Sequence, residues 1–118
     1  MKLVVHSVEC WGHKNMRTWE PADPADVAEE IMVDIGPKGK KGADTFTLKV
    51  ATPKGLGRLL AKDGIIATRP LLVVDRYDFA VLWRWLEATV TACERDTWES
   101  SVSELRVYFL WEYEGMQK

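Results

Sequence analysis

Apolar and polar positions alternate along residues 2–10, with Leu3, Val5, Ser7 and Glu9 on one side and Val4, His6, Val8 and Cys10 on the other. A period of two reads as an opening strand. "EPADPAD" (20–26) then sets two prolines among three acids, which predicts an irregular connection. Residues 27–35 start without a clear period, but Ile31, Val33 and Ile35 alternate with Met32 and Asp34 and lead as a strand to Gly36. Beyond "GPKGKKGAD" the alternation resumes, with Phe46, Leu48 and Val50 inward and Thr45, Thr47 and Lys49 outward. Two such runs around a Gly-rich connection predict a β-hairpin.

Helix punctuation comes next, in "TPKGLGRLLAKDG". Thr52 suits the N-cap, Pro53 the first helical position and Gly64 a left-handed stop. Gly55 and Gly57 inside it each cost about 1 kcal/mol relative to alanine, so a short, weak helix is expected. "RPLLVVDRY" (69–77) reads as a buried strand from its apolar, β-branched run. The strongest helix lies after it. Asp78 is its N-cap, with Tyr77 placed to staple onto Leu82, and Phe79, Leu82, Trp83, Leu86, Val90 and Cys93 form one stripe at helical spacing. Trp85 falls off that stripe with Val81, Ala88 and Ala92, which predicts packing on two sides.

Asp96 and Glu99 make a capping-box-like start to a last helix, with Thr97 as a rival cap. Trp98, Val102, Leu105 and Phe109 fit a helical face, while Leu105, Val107, Phe109, Trp111 and Tyr113 fit a strand equally well. Length and caps favour a helix to about residue 110. The sum is one α+β domain over residues 1–118: a small, mainly antiparallel sheet packed by two longer helices and one short helix.

Composition fits a soluble globular chain, with 47% hydrophobic and 29% charged residues among 118. Six tryptophans must fill a core, a partner surface or both. Cys10 and Cys93 match no paired spacing and read as free thiols in a reducing cytoplasm. The apolar run after Met1 is too short for a secretory core, and no segment approaches a membrane span. The net charge of −2 hides blocks: residues 20–37 carry six acids and no base, residues 38–69 eight bases against two acids, and residues 87–118 seven acids against three bases. Blocks of this kind bear on partner choice more than their sum does.

Candidate chemistry thins out on inspection. A P-loop needs Gly, four residues, then Gly-Lys-Ser/Thr between a strand and a helix; here no Ser or Thr follows a Gly-Lys pair and the next element is a strand. His6, Cys10 and His13 have ligand-like spacing, but a structural zinc site wants a fourth ligand and only the distant Cys93 is left. The same residues lack the third, orienting group that Cys–His catalysis requires. Paired carboxylates such as Glu29/Glu30 and Glu112/Glu114 read as solvated charge. No catalytic residue, metal or cofactor is expected. The C-terminal third differs, because it interleaves Glu99, Glu104, Glu112 and Glu114 with Trp98, Trp111 and Tyr113, and aromatic anchors among acids suit a basic protein partner.

"IGPKGKKGADTFTLKVATP", "LLVVDRYDFAVLWRWLEATV" and "YFLWEYE", in this order, resemble the family called immunity protein 8. Where that pattern has a tryptophan soon after Thr-Pro-Lys, this chain has Gly55, Leu56 and Gly57. The resemblance implies a cytoplasmic, non-enzymatic immunity protein of a bacterial polymorphic toxin or contact-dependent inhibition system. Its partner would be the C-terminal domain of a cognate toxin, commonly a nuclease, neutralised by stoichiometric binding, with no membrane and no direct nucleic-acid contact. The family supplies no site residues. The residues' own charge pattern nominates Glu99, Glu104, Trp111, Glu112 and Glu114 for toxin binding, with Asp26, Glu29 and Glu30 as a second patch. Two readings stand beside it: a small nucleic-acid-binding protein using the basic Gly/Lys loop 36–44, with Lys38, Lys40 and Lys41 on phosphates, and a small enzyme using Cys10 with His6 or His13.

Overall fold

The computed structural model describes residues 1–10, 12 and 14–115. The elements run β1 (Leu3–Cys10), β2 (Lys14–Asn15), β3 (Ala28–Pro37), β4 (Asp44–Ala51), α1 (Pro53–Asp63), β5 (Leu71–Val73), α2 (Phe79–Ala92), α3 (Trp98–Leu105) and β6 (Leu110–Trp111). The strands form one sheet in the order β2-β1-β3-β4-β5, with β6 also on β4, and every pairing is antiparallel except β4 with β5. The fold is α+β, as the pattern predicts.

The hairpin follows its alternation. Ile31, Val33 and Ile35 of β3 and Phe46, Leu48 and Val50 of β4 are buried, in one core with Leu82, Leu86 and Val90 of α2, its C-cap Cys93, and Val102, Leu105 and Phe109 at and beyond α3. The other sheet face is polar: Asp34 accepts from Ser7 Oγ at 3.2 Å and from Thr45 Oγ1 at 2.9 Å. The Gly-rich stretch is the turn between the strands, not a cradle at a helix N-terminus. Gly36 is required there, because a Cβ would lie 2.4 Å from the Gly42 carbonyl oxygen.

Strand β1 corrects the simple alternation. Val5 pairs with Ile35, but Ser7 pairs with Asp34, so His6 is the extra residue of a bulge. The bulge exchanges the faces: Val8 and Cys10 turn into the core, registered with Val33 and Ile31, while Ser7 and Glu9 lie opposite Asp34 and Met32 on the polar face. His6 is exposed.

Helix α1 starts at Thr52, whose hydroxyl accepts from Gly55 N–H at 3.1 Å, and stops at left-handed Gly64. It is not the short helix of the three; at 11 residues it exceeds α3, which has 8. Gly55 has a packing role, since a Cβ there would sit 2.0 Å from the Val27 carbonyl oxygen. A side chain at this position would drive the helix off the start of β3. The expected buried strand at 69–77 is instead the three-residue edge strand β5, with Leu71 36% and Val73 50% exposed. Asp78 caps α2 by accepting from Ala80 N–H at 3.0 Å. Tyr77 is buried, packs edge-on to Trp19 and donates its hydroxyl to the Met16 carbonyl. Thr97, rather than Asp96, caps α3, in a capping box with Ser100.

Candidate partner-binding surface

The last helix ends at Leu105, five residues short of its expected end. From there the chain forms a hook: turns over 106–109, then β6 laid along the edge of β4. Phe109 anchors it, buried with its ring edge-on to Trp85 at 6.0 Å and to Phe46 at 6.2 Å. Thr47 and Leu110 are the closely bonded pair of the antiparallel ladder. Glu112 extends the ladder by one rung in two ways. Its N–H donates to the Thr45 carbonyl at 2.9 Å, and its Oε1 accepts from Thr45 N–H at 2.8 Å.

Further contacts lock the tip. Trp111 Nε1–H donates to Asp44 Oδ2 at 2.9 Å, and its ring meets Tyr113 edge-on at 5.3 Å. The Arg106 guanidinium lies 5.8 Å from the Trp111 ring centroid and forms a forked ion pair with Glu114. The Arg106 hydrogen bond holds the Glu114 carboxyl below the usual glutamate range, and Glu114 in turn raises Arg106. Glu114 N–H closes the turn on the Trp111 carbonyl at 2.8 Å.

On this frame the apolar and aromatic side chains point outward. Val107 is 69% exposed, Leu110 45%, Tyr108 44% and Tyr113 44%. Beside them an open groove of about 640 Å³ runs between the 106–114 segment and residues 68–71, lined in part by Arg69, Leu71, Val107 and Leu110. A patch of tyrosines and aliphatics on a rigid backbone, rimmed by Asp44, Glu112, Glu114 and Arg106, has the composition of a protein-docking surface.

The structure gathers only some of the sequence-nominated residues here. Trp111, Glu112 and Glu114 belong to the hook, and Glu30 reaches its border, lining a shallow cleft with Thr47, Lys49 and Leu110. Glu99 is exposed on the first turn of α3, and Glu104 is held by Arg95 at 2.6 Å. Asp26 is held by Arg58 of α1 at 2.7 Å, and Glu29, next to Glu30 at the start of β3 but alternating to the opposite sheet face, acts with its charge on Cys10. Several of these acids are therefore already paired within the chain.

Sequence reading missed Arg106, Val107, Tyr108 and Leu110. Their signal was the double fit of 105–113 to helix and strand: once the helix stops, the surplus apolar positions have no core to enter. The other candidate chemistry gains no geometry. Cys10 and Cys93 are free and buried, and burial pushes both thiols up, away from a nucleophile's needs. His13 lies outside the described residues, and no group of three metal-ligating side chains occurs among the described ones. Lys38, Lys40 and Lys41 are exposed on the hairpin turn. Among the described residues no helix is long and apolar enough to cross a membrane.

A family model described as Immunity protein 8 matches residues 3–116 of the chain. No curated protein and no solved structure gives a match.

Proposed function

The chain belongs to the immunity protein 8 family, and from that premise we propose that it neutralises its cognate toxin by stoichiometric binding through the C-terminal hook. Family membership implies a toxin partner; the surface and the kind of toxin belong to the proposal. The observation that supports the surface is the exposure of Tyr108, Leu110 and Tyr113 on a backbone fixed by Thr45, Asp44 and Phe109. Aromatic anchors that are ordered before binding lose little conformational entropy on docking.

Charge supports a nuclease as the toxin, carried as the C-terminal domain of a larger polymorphic or contact-delivered protein. A domain that acts on nucleic acid presents a basic groove, and Glu112, Glu114 and Glu30 around the hook would steer its approach. Glu99 and Glu104 extend that field along α3, while Asp26 and Glu29 form the second patch. Trp111 contributes by holding the tip rather than by direct contact. The cytoplasm is the compartment in which this protection would operate.

The test is co-expression with the C-terminal domain encoded by the neighbouring toxin gene. Rescue of growth together with a one-to-one complex on copurification is the expected result. Neither rescue nor complex would remove that pairing.

A further inference from the structure

The edge that β5 offers to solvent is self-complementary. Lys49 N–H donates to the Pro70 carbonyl at 3.2 Å and Val74 N–H to the Ala51 carbonyl at 2.9 Å. With the parallel register Lys49↔Leu71, Val50↔Leu72 and Ala51↔Val73, these bonds place the backbone groups of Pro70, Leu72 and Val74 toward β4. The N–H and C=O of Leu71 and Val73 therefore point away from the sheet. Beyond the ladder, no backbone bond to either residue occurs among the described residues. Pro70, the one residue here without an N–H, has its missing donor on the β4 side and leaves the free edge intact.

The side chains along this edge are unusually suited to meeting themselves. Leu71 and Val73 stand exposed on the polar face of the sheet. On the helix side a second open groove, of about 510 Å³, includes Leu72, Val74, Val81 and Trp85, with Val81 44% exposed. Arg69 is exposed at one end of the strand and Asp75 at the other, and neither has an ion-pair partner among the described residues. An apolar edge with unpaired backbone groups, even one of three residues, is open to pairing unless like charges or a covering segment blunt it. Here the charges have opposite sign at the two ends.

We propose that β5 is a homodimer interface, pairing antiparallel with β5 of a second copy about a two-fold axis at Leu72. In that arrangement Leu71 of one copy exchanges both backbone hydrogen bonds with Val73 of the other, and the reverse. The Arg69 end of each strand comes beside the Asp75 end of its neighbour, so both ends gain an opposite charge. Leu71 meets Val73 on the polar face, and the Val81 side of the groove is covered on the other. A parallel pairing would instead bring Arg69 beside Arg69 and Asp75 beside Asp75. The pairing needs only the isolated protein and is tested without the toxin; because Arg69 and Leu71 also line the groove beside the hook, a dimer would cover one side of that groove.

The experiment is sedimentation equilibrium of the protein alone up to millimolar concentration. The expected mass rises from 13.5 kDa to twice that value. Arg69→Asp and Asp75→Arg should each raise the dissociation constant about tenfold or more, through like charges at both ends. An equimolar mixture of these two variants should associate again, because every end is then complementary, and so should the doubly reversed protein. Val73→Pro, which removes an outward N–H without touching a β4 bond, should give a monomer. A monomer at all concentrations, a dimer indifferent to the single reversals, or a mixture that fails to associate would each overturn the assignment. So would an edge that pairs only with a strand of the toxin.

Discussion

Trp111 is registered opposite Phe46, yet its indole N–H donates to the carboxylate of Asp44, two residues back along β4, at 2.9 Å. One side chain thus ties the short β6 to the start of the strand that carries it. Removing the donor together with part of the ring, as in Trp111→Phe, should cost about 1–2 kcal/mol in chemical denaturation. It should also speed amide exchange at Leu110 and Glu112 relative to the β3–β4 core. Asp44→Asn, which keeps an acceptor, should change both much less. Exchange at Leu110 unaltered by Trp111→Phe would show that the bond does not hold the hook.

Gly55 and Gly57 lie two residues apart in the same helix and should respond oppositely to alanine. At Gly55 a Cβ meets the Val27 backbone, with its carbonyl oxygen at 2.0 Å and its carbonyl carbon at 2.6 Å, whereas at Gly57 nothing lies within 4 Å. Gly57→Ala should stabilise by about 0.5–1 kcal/mol through helix propensity. Gly55→Ala should destabilise by about 3 kcal/mol, because the backbone it strikes cannot rotate aside. Thermal melts of the two variants decide the point, and equal shifts would contradict the close approach of α1 to β3.

Glu114 gives the hook a pH dependence of known sign. Its carboxyl is lowered by the Arg106 hydrogen bond. A group depressed in the folded state contributes stability that is complete above its unfolded pKa, about 4.3, and is lost as the pH falls through the folded value. The hook should therefore loosen in acid before the core does. Proton titration followed by NMR should place Glu114 below the ordinary glutamate range, and Arg106→Gln should return it there. A normal Glu114 in the unaltered protein would contradict the fork.

Alternation was a sufficient guide where both strands of a pair ran without interruption, as in β3 and β4, and cap chemistry located the starts of α1 and α2. It failed where the physics is set by a neighbour rather than by the segment. The bulge at His6 depends on how β1 sits on β3, so period two alone put Val8 and Cys10 with His6. The apolar run at 71–73 looked buried because propensity does not distinguish a central strand from an edge open to a partner. Gly55 read as a defect until Val27 was in place beside it. For the surface, the acids and Trp111 were legible as charge and aromaticity. Tyr108 and Leu110 were not, because a helix through residue 110 would have turned them differently.

Toxin binding through the hook is tested most directly by the dissociation rate of the complex between this protein and its cognate toxin domain. Tyr108→Ala combined with Tyr113→Ala removes both anchors; Trp111 loses its edge contact with Tyr113 but keeps its bond to Asp44, and Glu112 and Phe109 keep theirs. The double variant should dissociate at least about a hundredfold faster, as expected for the loss of two central aromatics. Its melting temperature should stay close to that of the unaltered protein. A correctly folded double variant that releases the toxin at the unaltered rate would contradict binding through the hook.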